Sequence, residues 1–435
     1  MEKNNFRKIA AITLFESAVQ WYCFLLYGTA AGTVFHKVFF SQTGNGTTAL
    51  ILSYMSFAIG YIAGPFGAIF FGHIGDRKGR KVTMYASLLM MGISTSIIGI
   101  LPPAASAGVG VVIVLQLMRL AQCFGRGGTW GGGILMAYEN VPENKRSFYA
   151  AIPQIGLPIG FGLSSILIAV PTLLLPEDIF FTWGWRIPFL AAIILTVIVI
   201  RQKGEMMETE DYKKAQAKLE AEEAEGKKHK VGFIPMVKGY WKTLLLGCGT
   251  RWVDGTFYNI FIVWILSYCI NWLGMPLIQT YIITIIACIF KIPFTLFGGW
   301  CAQKLGNTRT FVIGALASAV LSIPTLKVIE LSKGNLAITI IGIVLGWSIA
   351  YNLIWAVISS LWSSYFETEV RYSGISFVYH VPSFLVAGMV PTICTLLINY
   401  GKGDTIYVGI YSTVVALISA ACALALKARH DRGEK

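Results

Sequence analysis

Charged side chains are scarce in this 435-residue chain, at 13%. A soluble domain carries about 25%, so a water-filled cell compartment is a poor home for it. Histidine numbers only five, scattered along the sequence. No histidine or cysteine group has metal-ligand spacing and no nucleophile–base pair stands out, so the chain reads as neither an enzyme nor a metal or cofactor carrier. The cysteines (Cys23, Cys123, Cys248, Cys269, Cys288, Cys301, Cys394 and Cys422) form no C-x-x-C and read as small packing residues. No uninterrupted polar stripe runs through the apolar segments, which disfavours a channel. No small-residue cleavage site follows MEKNNFRKIA, so no removable signal peptide is expected.

What the chain has is apolar length: 55% of its residues are hydrophobic and the mean hydropathy is +0.65. About 20 apolar residues cross a bilayer as one helix. Runs of that kind cover 9–35, 48–74, 82–101, 107–139, 147–175, 185–201, 241–270, 276–303, 309–330, 335–362, 369–400 and 403–427. Backbone groups in lipid must be satisfied within their own element, so these runs predict helices. The expected fold is an all-α membrane protein of twelve transmembrane helices in two six-helix halves.

The net charge of +13 would suggest nucleic acid in a soluble protein. Here position decides. With twelve spans and both termini cytoplasmic, 26 Lys/Arg fall in inner segments and four (Lys37, Lys327, Lys333 and Lys402) in outer loops. That is the positive-inside pattern of a multi-pass protein of the bacterial cytoplasmic (plasma) membrane, in contact with lipid and not with nucleic acid. One segment, 202-QKGEMMETEDYKKAQAKLEAEEAEGKKHK-230, is polar and mixed in charge. It suggests bundles at 1–201 and 241–435 joined by a cytoplasmic linker, 202–240. A six-plus-six layout is that of transporters whose substrate sits between the halves near mid-membrane.

Between spans 2 and 3 stands 70-FFGHIGDRKGRKVTM-84, with five charges in the six residues from Asp76 to Lys81. A weaker copy, 298-GGWCAQKLGNTRT-310, follows span 8 and has Gln303 where the first has Asp76. The pattern G-x-x-x-D-R-x-G-R-K resembles the signature loop of the major facilitator superfamily. The segments 21-WYCFLLYG-28, 119-RLAQCFGRGGTWGGG-133, 183-WGWRIPF-189 and 369-EVRYSGISFVYH-380 are similar to motifs of its metabolite:proton symporter family, which includes permeases for α-ketoglutarate, citrate, shikimate and proline/betaine. The resemblance runs along essentially the whole chain and implies a monomeric transporter of a small metabolite. Departures are pointed. The family's Glu-Trp-Tyr-Asp is Gln20-Trp21-Tyr22-Cys23 here, and its Gly-Gly-Glu is Gly127-Gly128-Thr129, with Arg126 replacing a small residue. Three acids are gone, which calls ordinary proton coupling into question.

Each charge inside the bilayer costs several kcal/mol and so marks a functional candidate. Glu16, Arg119, Arg126, Arg251, Asp254 and Lys291 are the set, four bases against two acids. The excess of about two positive charges calls for an anion, and a dicarboxylate would supply it. Arg119, Gln122 and Arg126 are spaced i, i+3, i+7, one helical face that should look into a wet cavity, where forked donors suit a carboxylate. The alternative is a structural pairing with a neighbouring helix. Arg251 and Asp254 are i, i+3, with Tyr258 one turn on: either an internal salt pair or a proton acceptor whose neighbour the substrate can claim. Glu16 shares a face with Gln20 and Cys23 and is the second candidate proton carrier. Lys291, beside Pro293 and Phe294, sits mid-span in what reads as a broken helix. Tyr22, Tyr258 and Tyr379 are candidate cavity hydroxyls, and His380 a titratable or structural imidazole.

The superfamily resemblance also implies a gating latch made of Gly72, Asp76, Arg77, Gly79, Arg80, Glu139 and Arg371. Asp76 would accept from the positive N-terminus of the helix that starts near Glu369–Arg371, and Arg80 would reach Glu139. The sequence reading is a secondary transporter of a small organic anion, a carboxylate metabolite, with proton symport. Anion exchange without proton coupling, and a transporter-like sensor acting through the linker, remain as alternatives.

Overall fold

A computed structural model describes residues 3–78, 80–139, 146–203 and 233–434. Among these every regular element is helical, and eight helical stretches are long and apolar enough to cross a membrane. With the four remaining long helices the described residues give twelve spans. In the first half, α1 is Lys3–Ala30 with a π turn at Ala31–Phe35, α2 is Gly46–Lys78, and α3 is Arg80–Ile100. Gly110–Glu139 forms α4, Gly156–Leu174 α5, and Arg186–Lys203 α6. In the second half, α7 is Phe233–Asn259, a π turn at Ile260–Trp264 and Ile265–Asn271. Leu277–Leu305 is α8 and Asn307–Leu331 is α9. A π turn at Val344–Ala350 splits α10 into Leu336–Ile343 and Asn352–Ser363. Another at Phe384–Gly388 splits α11 into Thr368–His380 and Val390–Tyr400. The last span, α12, is Ile406–Asp431.

The expected break at Pro293 does not occur. α8 runs unbroken through it, since neighbouring helices can satisfy a carbonyl freed by proline within a bundle. Of the linker, 204–232 lies outside the described residues.

Apolar side chains face outwards as well as inwards: Phe66, Val320 and Leu385 are more than 60% exposed, while Thr, Ser, Asn and Gln side chains lie buried among the aromatic and aliphatic core. This is the partition a hydrocarbon solvent imposes. Within the first half, α2 and α4 pack closely. A Cβ on Gly67 would lie 1.9 Å from the Phe124 carbonyl oxygen, so only glycine permits that approach.

The halves meet chiefly where α5 lies on α8 and α2 lies on α11. Inner and outer ends are named after the Lys/Arg distribution. At the outer end Tyr54 donates to Ser267 Oγ (2.7 Å) and Tyr281 to Thr33 Oγ1 (3.1 Å). Towards the inner end Trp355 Nε1 donates to the Gln154 carbonyl (3.0 Å) and Ser147 Oγ to Asn307 Oδ1 (2.9 Å). The space between the halves is therefore bridged at both ends.

Candidate functional site

The cations of α4 share a helical face and meet different surroundings. Arg119 is fully buried within the first half, its guanidinium carbon 4.5, 4.4 and 4.6 Å from the ring centroids of Phe24, Tyr27 and Phe57. It donates to Gln122 Oε1, and Gln122 Nε2 donates to the Cys23 carbonyl (2.9 Å) and Thr95 Oγ1 (2.7 Å). Aromatic faces therefore replace the wet cavity that the spacing implied there, and cation–π attraction lowers the cost of the charge. Two turns on, Arg126 reaches the boundary between the halves. It lies 4.5 Å from the Trp21 ring and 3.8 Å from Phe24, and it donates to the Tyr379 hydroxyl of α11.

From Tyr379 the polar contacts continue into the second half. The Arg251 guanidinium lies 4.3 Å from the Tyr379 ring and donates to Asp254. Asp254 also accepts from the Tyr351 hydroxyl. Lys291 sits 4.4 Å over the Tyr351 ring and 4.6 Å over Trp347, and donates to Asn352 Oδ1 (2.9 Å) and the Trp347 carbonyl (3.4 Å). That carbonyl belongs to the π turn of α10, where the wider turn alters the backbone ladder, a recurrent feature of functional helices. Arg251, Asp254 and Lys291 are all fully buried.

Tyrosines close the centre. Tyr258 of α7 and Tyr61 of α2 share a hydrogen bond across the halves. Trp21 meets Tyr258 and Trp355 edge to face at 6.1 and 5.4 Å. Around this centre several buried donors make no hydrogen bond: Arg251 Nε and Nη2, the indole nitrogens of Trp21 and Trp347, and Gln154 Nε2. Buried donors are normally paired. Unpaired donors beside three cations suit a ligand rich in acceptors.

Other predicted residues lie elsewhere. Tyr22 donates to the Pro188 carbonyl of α6 (2.5 Å) and so faces its own half. Glu16 and Gln20 are buried on α1. Gly72 lies in α2. Gly79 and the side chains of Asp76, Arg77, Arg80 and Glu139 lie outside the described residues. Arg371 Nε donates to the carbonyls of Ser363 (3.0 Å) and Phe366 (3.2 Å), joining the end of α10 to the start of α11. His380 packs on α2, where a Cβ on Gly64 would meet its Nδ1 at 2.8 Å. Tyr61, Gln154, Trp347 and Asn352 went unmarked in the sequence. Lone amides such as Gln154 and Asn352 inside apolar runs are the signal that could have found the last two of the polar set.

Comparison with known proteins agrees with this architecture. The sequence pattern of the Major Facilitator Superfamily matches residues 10–385. The inner membrane metabolite transport protein YhjE of Escherichia coli is 33% identical, over 98% of this chain and 96% of its own. The shikimate transporter of the same organism is 32% identical, over 96% of this chain and 94% of its own. A structure of the xylose transporter XylE from E. coli superposes with a TM-score of 0.72 at 15% identity, covering 96% of each chain, which speaks for the fold alone. With twelve helices in two halves and relatives about a third identical along nearly its whole length, the chain belongs to the major facilitator superfamily, a family of membrane transporters.

Proposed function

We propose that the chain is a secondary transporter that carries a small organic carboxylate across the bacterial cytoplasmic membrane by alternating access, as a monomer with both termini inside. The observation that carries this reading is the set of unpaired buried donors, on Arg251, Trp21, Trp347 and Gln154, beside the cations Arg126, Arg251 and Lys291. A carboxylate offers about four lone-pair sites and a negative charge, and so answers both deficits. A betaine-like zwitterion fits less well. Its cationic end would want a bare aromatic face, yet Arg126 covers Trp21 and Phe24, Arg251 covers Tyr379, and Lys291 covers Trp347 and Tyr351. Arg119, boxed in three rings of the first half, holds α4 in place behind the contact residues.

Proton symport follows from Arg251 and Asp254. A substrate carboxylate that engages the free Nε and Nη2 of Arg251 competes with Asp254 for the same guanidinium. Asp254, released from that partner, is the proton carrier on this reading, so substrate and proton travel together. Glu16, buried on α1, is the second candidate proton carrier. Exchange without protons is the second reading, and Gln20, Cys23 and Thr129 favour it by standing where the family carries acids. Reconstituted vesicles separate the two. With a fully ionised substrate, an acid-outside pH gradient drives accumulation under symport, and Asp254→Asn abolishes that drive while leaving counterflow. Accumulation indifferent to the gradient would establish exchange.

A further inference from the structure

The outer end of the interface holds a cavity of about 610 Å³, within the size range that accommodates a small metabolite. Both halves build it. His36 and Lys37, just beyond α1, face Asn271 and Trp272 at the end of α7 and Asn399 of α11. It is separate from the centre. On α2, Leu50 lines the cavity; one turn deeper Tyr54 bridges to Ser267 and the Val263 carbonyl, and Tyr61 at the centre is two turns deeper still.

The lining carries two bases and no acid. Lys37 lies 4.3 Å over the Phe181 ring and makes a surface pair with Glu177, at 3.5 Å with both side chains mostly exposed, a pair weak enough for a ligand to replace. Nδ1 of His36 is buried and makes no hydrogen bond. Burial, with Lys37 beside it, pushes His36 down to about 4, so at neutral pH it acts as a hydrogen-bonding group and not as a charge. Trp272 supplies a flat face. Its ring is backed by Gly403, where an added Cβ would lie 2.7 Å from it, and among the described residues no cation covers it. The cations at the centre cover their rings; this ring is left for a guest.

We infer that this cavity is an outer docking site for a small ring-bearing carboxylate, whose ring lies on Trp272 and whose carboxylate meets Lys37, His36 and the Asn271 amide. The site is filled independently of the centre. Because both halves line it, it is complete while the outer ends are together.

Saturation-transfer NMR with benzoate on the full-length protein in detergent tests this in an Arg126→Ala background, which removes a central contact and leaves the outer lining intact. Benzoate should still bind saturably there. Trp272→Ala and Asn271→Ala should each weaken it about tenfold, and Trp272→Phe, which keeps a flat ring, should retain most of it. Unfolding midpoints confirm that each variant is folded. No saturable binding in either wild type or Arg126→Ala, or binding indifferent to Trp272→Ala and Asn271→Ala, overturns the proposal. Loss of uptake without loss of benzoate binding in Arg126→Ala speaks to the central site alone.

Discussion

Arg126 of the first half and Arg251 of the second flank one phenol, Tyr379, with guanidinium carbons 5.3 and 4.3 Å from its ring centroid. Among the described residues Asp254 is the acid paired with Arg251. Like charges from opposite halves repel, and in a low-dielectric interior that repulsion is weakly screened. On the proposed reading an anion placed between them would turn that repulsion into a reason for the halves to close, which would couple binding to closure.

Removal of the first of these cations therefore has a defined consequence. Arg126→Ala should lower uptake about 10- to 100-fold, the worth of one charge-assisted hydrogen bond, with the protein still inserted and folded. Arg126→Lys keeps the charge without the fork and should fall between. Initial rates in vesicles, normalised to reconstituted protein, are the measurement. Wild-type rates in Arg126→Ala would remove Arg126 from the site.

Breaking the Arg251–Asp254 pair should cost stability as well as transport. Both side chains are fully buried, and stranding one buried charge costs about 3–5 kcal/mol. Asp254→Asn and Arg251→Met should each lower the unfolding midpoint clearly. The double variant should recover most of the loss, because no unpaired charge is left. Proton-driven uptake should be absent in all three. Additive midpoints would show that the two groups do not depend on each other.

The spans were legible because bilayer thickness fixes a length that hydropathy can register: the run at 276–303 is the helix Leu277–Leu305, and that at 309–330 is Asn307–Leu331. The π turns of α1, α7, α10 and α11 were not, since they arise where helices press together and no residue type marks them. Periodicity put Arg119 and Arg126 on one face correctly, but it carries no information on what stands opposite, and two turns separate an aromatic box from the seam between halves. Lys291 was visible as a charge in a span, while its partner Asn352 lies 61 residues away and could be identified only through the fold.

Helix contacts make a paired prediction about glycine. Gly67→Ala drives a methyl into the Phe124 carbonyl and must push α2 from α4, so folded protein should be largely lost. Gly162 of α5 faces α8 more loosely, with Cys288 Cβ 3.5 Å from an added Cβ, an ordinary contact. Gly162→Ala should leave the midpoint within about 0.5 kcal/mol of wild type. Size-exclusion profiles and midpoints of the two variants decide. Equal behaviour would mean that the helix spacing at α2–α4 is not fixed by backbone contact.

The last prediction concerns acid. His36 is held near 4 by burial, against about 6.5 in an unfolded chain. Above about 6.5 the imidazole is neutral in both states and contributes no pH dependence. As pH falls from there towards 4 the unfolded chain takes up a proton that the folded chain refuses, so stability drops, by at most about 3 kcal/mol once both are protonated. The neighbouring charge of Lys37 opposes protonation as well, and Lys37 itself is paired with Glu177. His36→Gln keeps a hydrogen-bonding side chain of similar size without the titration. Its unfolding midpoint should match wild type at pH 7 and fall less steeply below pH about 6.5. Parallel profiles for the two proteins over that window would place the acid sensitivity elsewhere and leave His36 open to solvent.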